Sequence, residues 1–265
     1  MKKHLLLGIA LAMVLIGAVV AVIYLSNRPL PSEEEADAMA AIQAEIDAGN
    51  YESARTQLEE VLAEDEGDAE AHFKLGLVYF NLGEYQLAQE RFSRSLELEP
   101  DRAAAVHHNL GVLAYQTGDM DGALEEFRAA LSVDPDDPDT HYQLGATYLL
   151  VAFPTGAEEP DMESLASAEA EFERALEVAS GKPEALVGLA NVYMLRGEMT
   201  GAIDLLEQAI EQAPEMREAL FALGRAYAAV GERDRAIDTL ETFLATDPPA
   251  MWAQQAQELL DELDQ

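Results

Sequence analysis

The side chains of this sequence with the greatest capacity for chemistry are five histidines and 51 aspartates and glutamates. Imidazole and carboxylate together hold divalent metals or relay protons, provided that several of them converge on one point. His72, His107 and His141 instead recur at steps of 35 and 34 residues. Equivalent positions of packed helices lie about 10 Å apart, whereas a metal–ligand bond is about 2 Å long. These three are therefore expected to pack rather than to share an ion, and no metal or cofactor is expected. His4 flanks the apolar N-terminus, and His108 is left as a candidate binding residue. Carboxylates are so numerous that close pairs arise by chance.

No phosphate-cradling glycine loop, dinucleotide fingerprint, nucleophile elbow or HExxH motif is present, so the reading is of a non-enzyme. The absence of cysteine removes disulfides, thiolate metal sites, thiol nucleophiles and lipidated cysteine anchors. Formal net charge is −35, with 51 acids against 16 lysines and arginines. Nucleic acid is excluded as a partner, because neutralising phosphates needs a basic surface.

The elements that position side chains begin with an apolar run. Leu5 to Leu25 carries no charge and is about 30 Å long as a helix, enough to span a bilayer. It lacks a good A-x-A-like cleavage site, so an uncleaved anchor is expected. Lys2 and Lys3 precede the run and Arg28 follows it, which favours a cytoplasmic N-terminus and an exported remainder. The expected location is the bacterial inner membrane, single-pass. Gly8 with Ala12, and Gly17 with Ala21, have small-xxx-small spacing, equally at home in an ordinary anchor. Ser26 to Pro31 can reach only about 20 Å, and Ser32 with Glu35 reads as a capping box opening a helix.

Beyond that point the sequence repeats. Ala88 and Phe92 return as Ala123 and Phe127, Ala168 and Phe172, Ala202 and Leu206, then Ala236 and Leu240, with Ala54 and Leu58 before them. A 34-residue unit is thus copied about six times, with one added residue and one 11-residue insertion. Each copy reads as two amphipathic helices. The first carries Leu-Gly and an aromatic, as in Leu75, Gly76 and Tyr79, Leu144, Gly145 and Tyr148, or Leu223, Gly224 and Tyr227. Its glycine is expected to admit a neighbouring helix backbone. Gly83, Gly118, Gly197 and Gly231 are expected to end first helices in the left-handed conformation, and Pro100, Pro135, Pro214 and Pro248 to stop second helices.

The pattern L-G-x-x-Y, then A-x-x-x-F, then P at 34-residue spacing resembles the tetratricopeptide repeat family. The expected fold is all-α: a right-handed α-solenoid of about six helix pairs with a capping helix, preceded by one transmembrane helix. Boundaries read as 1–28 for the cytoplasmic end and anchor, 29–34 for a linker, and 35–265 for the solenoid. Its copies are about 35–68, 69–102, 104–137, 138–182, 183–216 and 217–250, and 251–265 caps it with Trp252, Ala256, Leu259 and Leu260 on one side. The first copy departs from the pattern, with Ile42 and Glu45, and reads as an N-terminal cap. In the third, Ala114 stands where the aromatic belongs and Tyr115 one place later. In the fourth, Val151 to Ser164 reads as a surface loop.

The resemblance implies a concave face, lined by first helices, that holds an extended or helical peptide. Its inward positions fall on Phe73, Lys74, Leu77, Phe80 and Asn81 in the second copy and on His108, Asn109, Val112 and Gln116 in the third. In the fourth they are Tyr142, Gln143, Ala146 and Leu149. Val187, Asn191 and Met194 follow in the fifth, Phe221 and Arg225 in the sixth. Asn109 and Asn191 could each pair with a peptide backbone, and Lys74 and Arg225 could hold a carboxylate. The two-repeat clamp with which some members hold a partner's C-terminal carboxylate is incomplete here, since Phe73, Ala105 and His108 occupy its other cationic positions.

Three of the 16 bases lie in the first 28 residues and all 51 acids follow them, leaving −38 on residues 29–265. High-salt adaptation, recruitment of a basic client, or repulsion from an anionic bilayer would each account for this. The acids are spread over all copies, which favours the first or third. The functional reading is a membrane-anchored extracytoplasmic scaffold or co-chaperone that binds peptide segments or subunits during assembly of an envelope complex. Alternatives are an apoprotein-binding subunit of cytochrome c maturation and a regulator of a cell-wall or polysaccharide enzyme. Client and oligomeric state stay open.

Overall fold

The structure, a computed structural model, describes residues 33–153 and 159–264. The run Leu5 to Leu25 and Ser32 of the capping box lie outside the described residues, as does the centre of the insertion. Among the described residues there are 13 α-helices and no strand, and no helix is long and apolar enough to cross a membrane. By internal contacts the chain divides into two units, Met1–Gln57 and Leu58–Gln265.

The first unit holds α1 (Glu33–Asp47) and the start of α2 (Tyr51–Glu64). Ile42, Ile46 and Ala54 are buried, and Gly49 turns the chain between the helices in the left-handed conformation.

The second unit continues α2 and pairs α3 (Ala69–Asn81) with α4 (Tyr85–Leu98), α5 (Ala103–Thr117) with α6 (Met120–Val133), and α7 (Pro138–Val151) with α8 (Met162–Val178). Then come α9 (Pro183–Leu195) with α10 (Met199–Gln212), α11 (Arg217–Val230) with α12 (Arg233–Ala245), and the closing α13 (Ala250–Leu263). Second helices stop two or three residues before Pro100, Pro135, Pro214 and Pro248, as the restricted residue before a proline requires. Pro138 and Pro183 open helices instead, where the missing N–H costs nothing. The N-cap carboxylates Asp68, Asp119, Asp137 and Asp161 accept bonds from first-turn amides.

The backbones of first helices approach one another in succession, α3 to α5, α5 to α7, α7 to α9, α9 to α11 and α11 to α13, whereas among the described residues no two of α4, α6, α8, α10 and α12 bring their Cα atoms within 8 Å. A layer whose members stay in contact is shorter than one whose members splay apart, so the second unit curves with the first helices inside. The core lies between the layers. Phe92, Phe127 and Phe172 are 0–1% exposed, and the recurring alanines Ala88, Ala123, Ala168, Ala202 and Ala236 are wholly buried beside them.

The Leu-Gly glycine works differently from the sequence expectation. A Cβ on Gly76 would lie 2.6 Å from the Phe92 ring, on Gly111 2.6 Å from the Phe127 ring, and on Gly145 2.9 Å from the Phe172 ring. What comes close is a buried aromatic side chain of the paired helix, not a neighbouring backbone. Phe172 is enclosed from both sides, because a Cβ on Gly188 of the next first helix would stand 2.5 Å from it. Gly118 ends α5 at φ 83°, and Gly83, Gly197 and Gly231 share its left-handed conformation.

The residue added between the second and third copies is absorbed by a 3-10 turn, Pro100–Arg102, which leads directly into α5. Tyr115 is half-buried beside Phe127 and Leu124. The loop of the insertion is narrower than Val151 to Ser164. Val151 ends α7, and Met162 to Ser164 are the first turn of α8, because the Asp161 carboxylate caps that helix through the Ser164 amide at 2.9 Å. The Asp161 amide donates to the Ala152 carbonyl at 2.8 Å and closes the loop at its base.

Candidate peptide-binding face

The inward helices α3, α5, α7, α9 and α11 each offer a ring or branched chain near their first turn. Phe73 rests 5.7 Å from Phe92, His108 5.9 Å from Phe127, Tyr142 6.0 Å from Phe172, and Phe221 5.1 Å from Phe243. These rings have one face on the core and the other toward the inner surface, and they are half-buried accordingly. Val187, at the equivalent place on α9, is a correction: at 7% exposed it belongs to the core with Ala202 and Leu223. An aliphatic chain at that site sinks between helices where a ring is too wide to follow. Phe221 is also covered in part, since Trp252 of α13 stacks on it at 5.8 Å.

The polar residues separate into two groups. Lys74 pairs with Glu70 at 3.6 Å. Asn81 and Asn109 turn their side-chain amides back onto their own helices, donating to the Leu77 and Ala105 carbonyls at 2.8 Å. Asn109 thus has its donor engaged, and the sequence expectation that it brackets a ligand backbone is weakened. The second group, Gln116, Gln143, Asn191 and Arg225, makes no side-chain hydrogen bond or ion pair with other described residues. Arg225 is exposed and lies over the Phe221 ring, 5.8 Å from its centroid. The remaining inward residues Leu77, Phe80, Val112, Ala146, Leu149 and Met194 are half-buried, with Phe80 5.8 Å from Tyr85.

The described histidines are bonded within their own copy or to the adjoining one. The Nδ1 atoms of His107 and His141 lie 2.7 Å from the carboxylates of Glu126 and Glu171 on the paired helix. The Nε2 atoms of His72 and His141 meet the carbonyls of Glu66 and Pro135 just upstream. Burial holds His72 below the ordinary histidine pKa, and the same cause, partly offset by Asp137 and Asp139, does so for His108. Thr140 donates its hydroxyl hydrogen to Asp137 and accepts from Nδ1 of His108 at 2.6 Å. Such a chain resembles a relay, yet the Thr140 hydroxyl is wholly buried and no substrate atom could reach it. No group of three or more His, Asp or Glu among the described residues could hold a metal ion.

Copies are also stitched by a tyrosine near the end of the first helices α3, α7 and α11. Tyr79 donates to Glu59 at 3.2 Å, Tyr227 donates to Glu207, and Tyr148 accepts from Arg128. None of these partners is visible in a repeat pattern read one copy at a time, because each belongs to the preceding copy.

A tetratricopeptide repeat model matches residues 39–88, 74–138 and 161–217, and a second such model matches 194–259. The chain belongs to the tetratricopeptide repeat family. No curated protein sequence matches it. Among solved structures it is similar to PilF of Pseudomonas aeruginosa, with a TM-score of 0.70 and 21% identity over 84% of this chain and 96% of that one. It is likewise similar to PilW, a widely conserved type IV pilus biogenesis factor, with a TM-score of 0.71 and 19% identity over 86% of this chain and 100% of the other. YrrB, described as having an unusual peptide-binding site, aligns with a TM-score of 0.55 and 21% identity over 76% of this chain and 97% of its own. At these identities the likeness establishes the fold.

Proposed function

We propose that this tetratricopeptide repeat protein is a non-catalytic scaffold that holds a peptide segment or subunit of a partner on the inner face of α3 to α11, tethered to a bacterial inner membrane through Leu5 to Leu25. The observation that carries the reading is that face itself. Half-buried rings recur there at one position on α3, α5, α7 and α11, and beside them Gln116, Gln143, Asn191 and Arg225 keep hydrogen-bonding groups unused by the described residues. Side-chain amides that donate and accept together suit a peptide backbone. The uncharged 21-residue run, with Lys2 and Lys3 before it and Arg28 alone after it, supports the tether and an extracytoplasmic domain. A role in assembling an envelope complex is favoured over cytochrome c maturation or enzyme regulation because one structural neighbour, PilW, is a type IV pilus biogenesis factor.

A photo-crosslinking side chain placed in living cells at Gln143 or Asn191 should trap a discrete partner, and one at Gln89 or Ser93 on the outer helix α4 should not. Equal adducts from both faces would overturn the reading. Protease added to spheroplasts should remove the repeat domain, and its survival would overturn the extracytoplasmic placement.

A further inference from the structure

The histidine at the fourth place of the second, third and fourth copies is one joint built in different ways. His72, His107 and His141 each stand three residues before the leucine of Leu-Gly. His72 and His141 hold their rings in the same pose, with Nε2 on the carbonyl six residues upstream, that of Glu66 at 3.1 Å and that of Pro135 at 3.0 Å. The Nδ1 atoms of His107 and His141 face a glutamate three places after the recurring alanine of the paired helix, Glu126 and Glu171, each at 2.7 Å. In the second copy the residue at that place is Arg91.

Exchanging glutamate for arginine changes what the ring can carry. Carbonyl and carboxylate both accept, so His141 has an acceptor on each nitrogen and can keep two hydrogens. His72 has one. Its Nε2 donates to Glu66, which leaves Nδ1 a bare lone pair, and that atom is buried without a hydrogen-bond partner. The Nε of Arg91 is also buried and unpartnered, and Arg91 pairs with no carboxylate among the described residues. A second hydrogen on His72, a residue 2% exposed, would be a buried charged donor with no acceptor, which folded proteins tolerate least.

The charged groups around the ring do not relieve this. Arg91 and Arg94 of α4 oppose a proton on it, and Asp68 at the head of α3 favours one. The Asp68 carboxylate is already spent on the Ala71 amide at 3.0 Å. On α2, Glu59 is bonded to Tyr79, and Arg102, before α5, is held by Glu99 and Glu70. Burial is the largest influence, and it holds His72 below the ordinary histidine value of 6.5. An opened copy therefore binds the proton more readily than a closed one, so stability is lost as pH falls below about 6.5.

We propose that His72 is an acid-sensitive joint: its single hydrogen ties α3 to the Glu66 turn at neutral pH, and uptake of a second hydrogen in acid opens the α3–α4 pair while the third copy stays closed. Phe73 and Lys74 follow His72 directly, so the inner-face positions of the second copy loosen with it. The inference does not depend on what that face holds.

The chain has no cysteine, so one introduced thiol reports local opening. Ala88→Cys on α4 and Ala123→Cys on α6 occupy equivalent, wholly buried places in two copies. Each full-length variant is treated with a thiol reagent between about pH 7 and pH 5, and labelling is scaled to that of the unfolded chain at the same pH, which cancels thiol ionisation. Below about pH 6.5, protection at position 88 should fall by up to about tenfold per pH unit, the slope of one proton taken up on opening. Protection at position 123 should not follow it. Arg91→Glu, which gives the second copy the carboxylate of its neighbours, should remove the fall, and so should His72→Gln. Constant protection at position 88, an equal fall at both positions, or a fall that persists in Arg91→Glu and His72→Gln overturns the inference. Nitrogen NMR of the histidine rings in the otherwise native chain adds a readout that needs no variant. His72 should hold its hydrogen on Nε2 alone until protection is lost, and a ring that takes its second hydrogen while position 88 stays protected overturns the inference as well.

Discussion

Gly76→Ala offers a sharp test of how the two helices of a copy are joined. Gly76 sits within α3, where alanine would ordinarily stabilise a helix by about 1 kcal/mol. Here the added Cβ would stand 2.6 and 2.7 Å from two carbons of the Phe92 ring, roughly an ångström inside ordinary contact. The ring cannot retreat, since Phe92 is 0% exposed and Phe73 lies against it at 5.7 Å. Overpacking of this kind costs about 1 to 3 kcal/mol. Set against the gain in helix propensity, a net loss of up to about 2 kcal/mol is expected, measured by urea unfolding followed by circular dichroism. Combining it with Phe92→Leu isolates the contact, because the shorter side chain leaves room for the methyl group. The cost of Gly76→Ala should then fall to about 0.5 kcal/mol or less, a coupling of about 1 kcal/mol. Stabilisation by Gly76→Ala in the otherwise native chain, as propensity alone demands, would refute the account.

Burial, then the bond to Glu207, pushes the Tyr227 phenol well above the ordinary tyrosine value. An unfolded tyrosine loses its proton near pH 10 while the folded one keeps it, so stability present below about pH 10 should fall as pH rises further. Tyr227→Phe should make that decline shallower without abolishing it, because Tyr79, Tyr142 and Tyr193 shift in the same direction; an unchanged slope in alkaline unfolding would count against the assignment. Trp252→Ala removes the stack on Phe221 and the contact with Phe243 at 6.4 Å, and should cost about 2 kcal/mol. Amide hydrogen exchange should quicken first in α13, and unaltered protection there would show that the helix is held by Ala256 and Leu260 alone.

Much of the repeat architecture is legible from single residues. A glycine that must be left-handed and a proline that must stop a helix act locally, so Gly118 and Pro135 could be placed before any tertiary contact was known. The helical period likewise marks Phe92 and Phe127 as buried. The insertion was legible only in outline, since its true edge depends on the Asp161 cap. Candidate groove residues were named by position, and position alone does not say whether a polar group is already in use.

The order and pairing of helices in the second unit, the burial of the recurring alanines and phenylalanines, and the acidity of the chain were fixed by the sequence, because period, turn residues and charge are properties of neighbouring residues along it. Which inward groups stay available was decided by the tertiary structure. Lys74 found Glu70, Asn109 found its own helix, Val187 sank into the core and Phe221 was covered by Trp252, while Arg225 was left open. The physical reason is that a hydrogen bond or a stack is settled by distances of a few ångströms between side chains, and those distances exist only after the helices have packed.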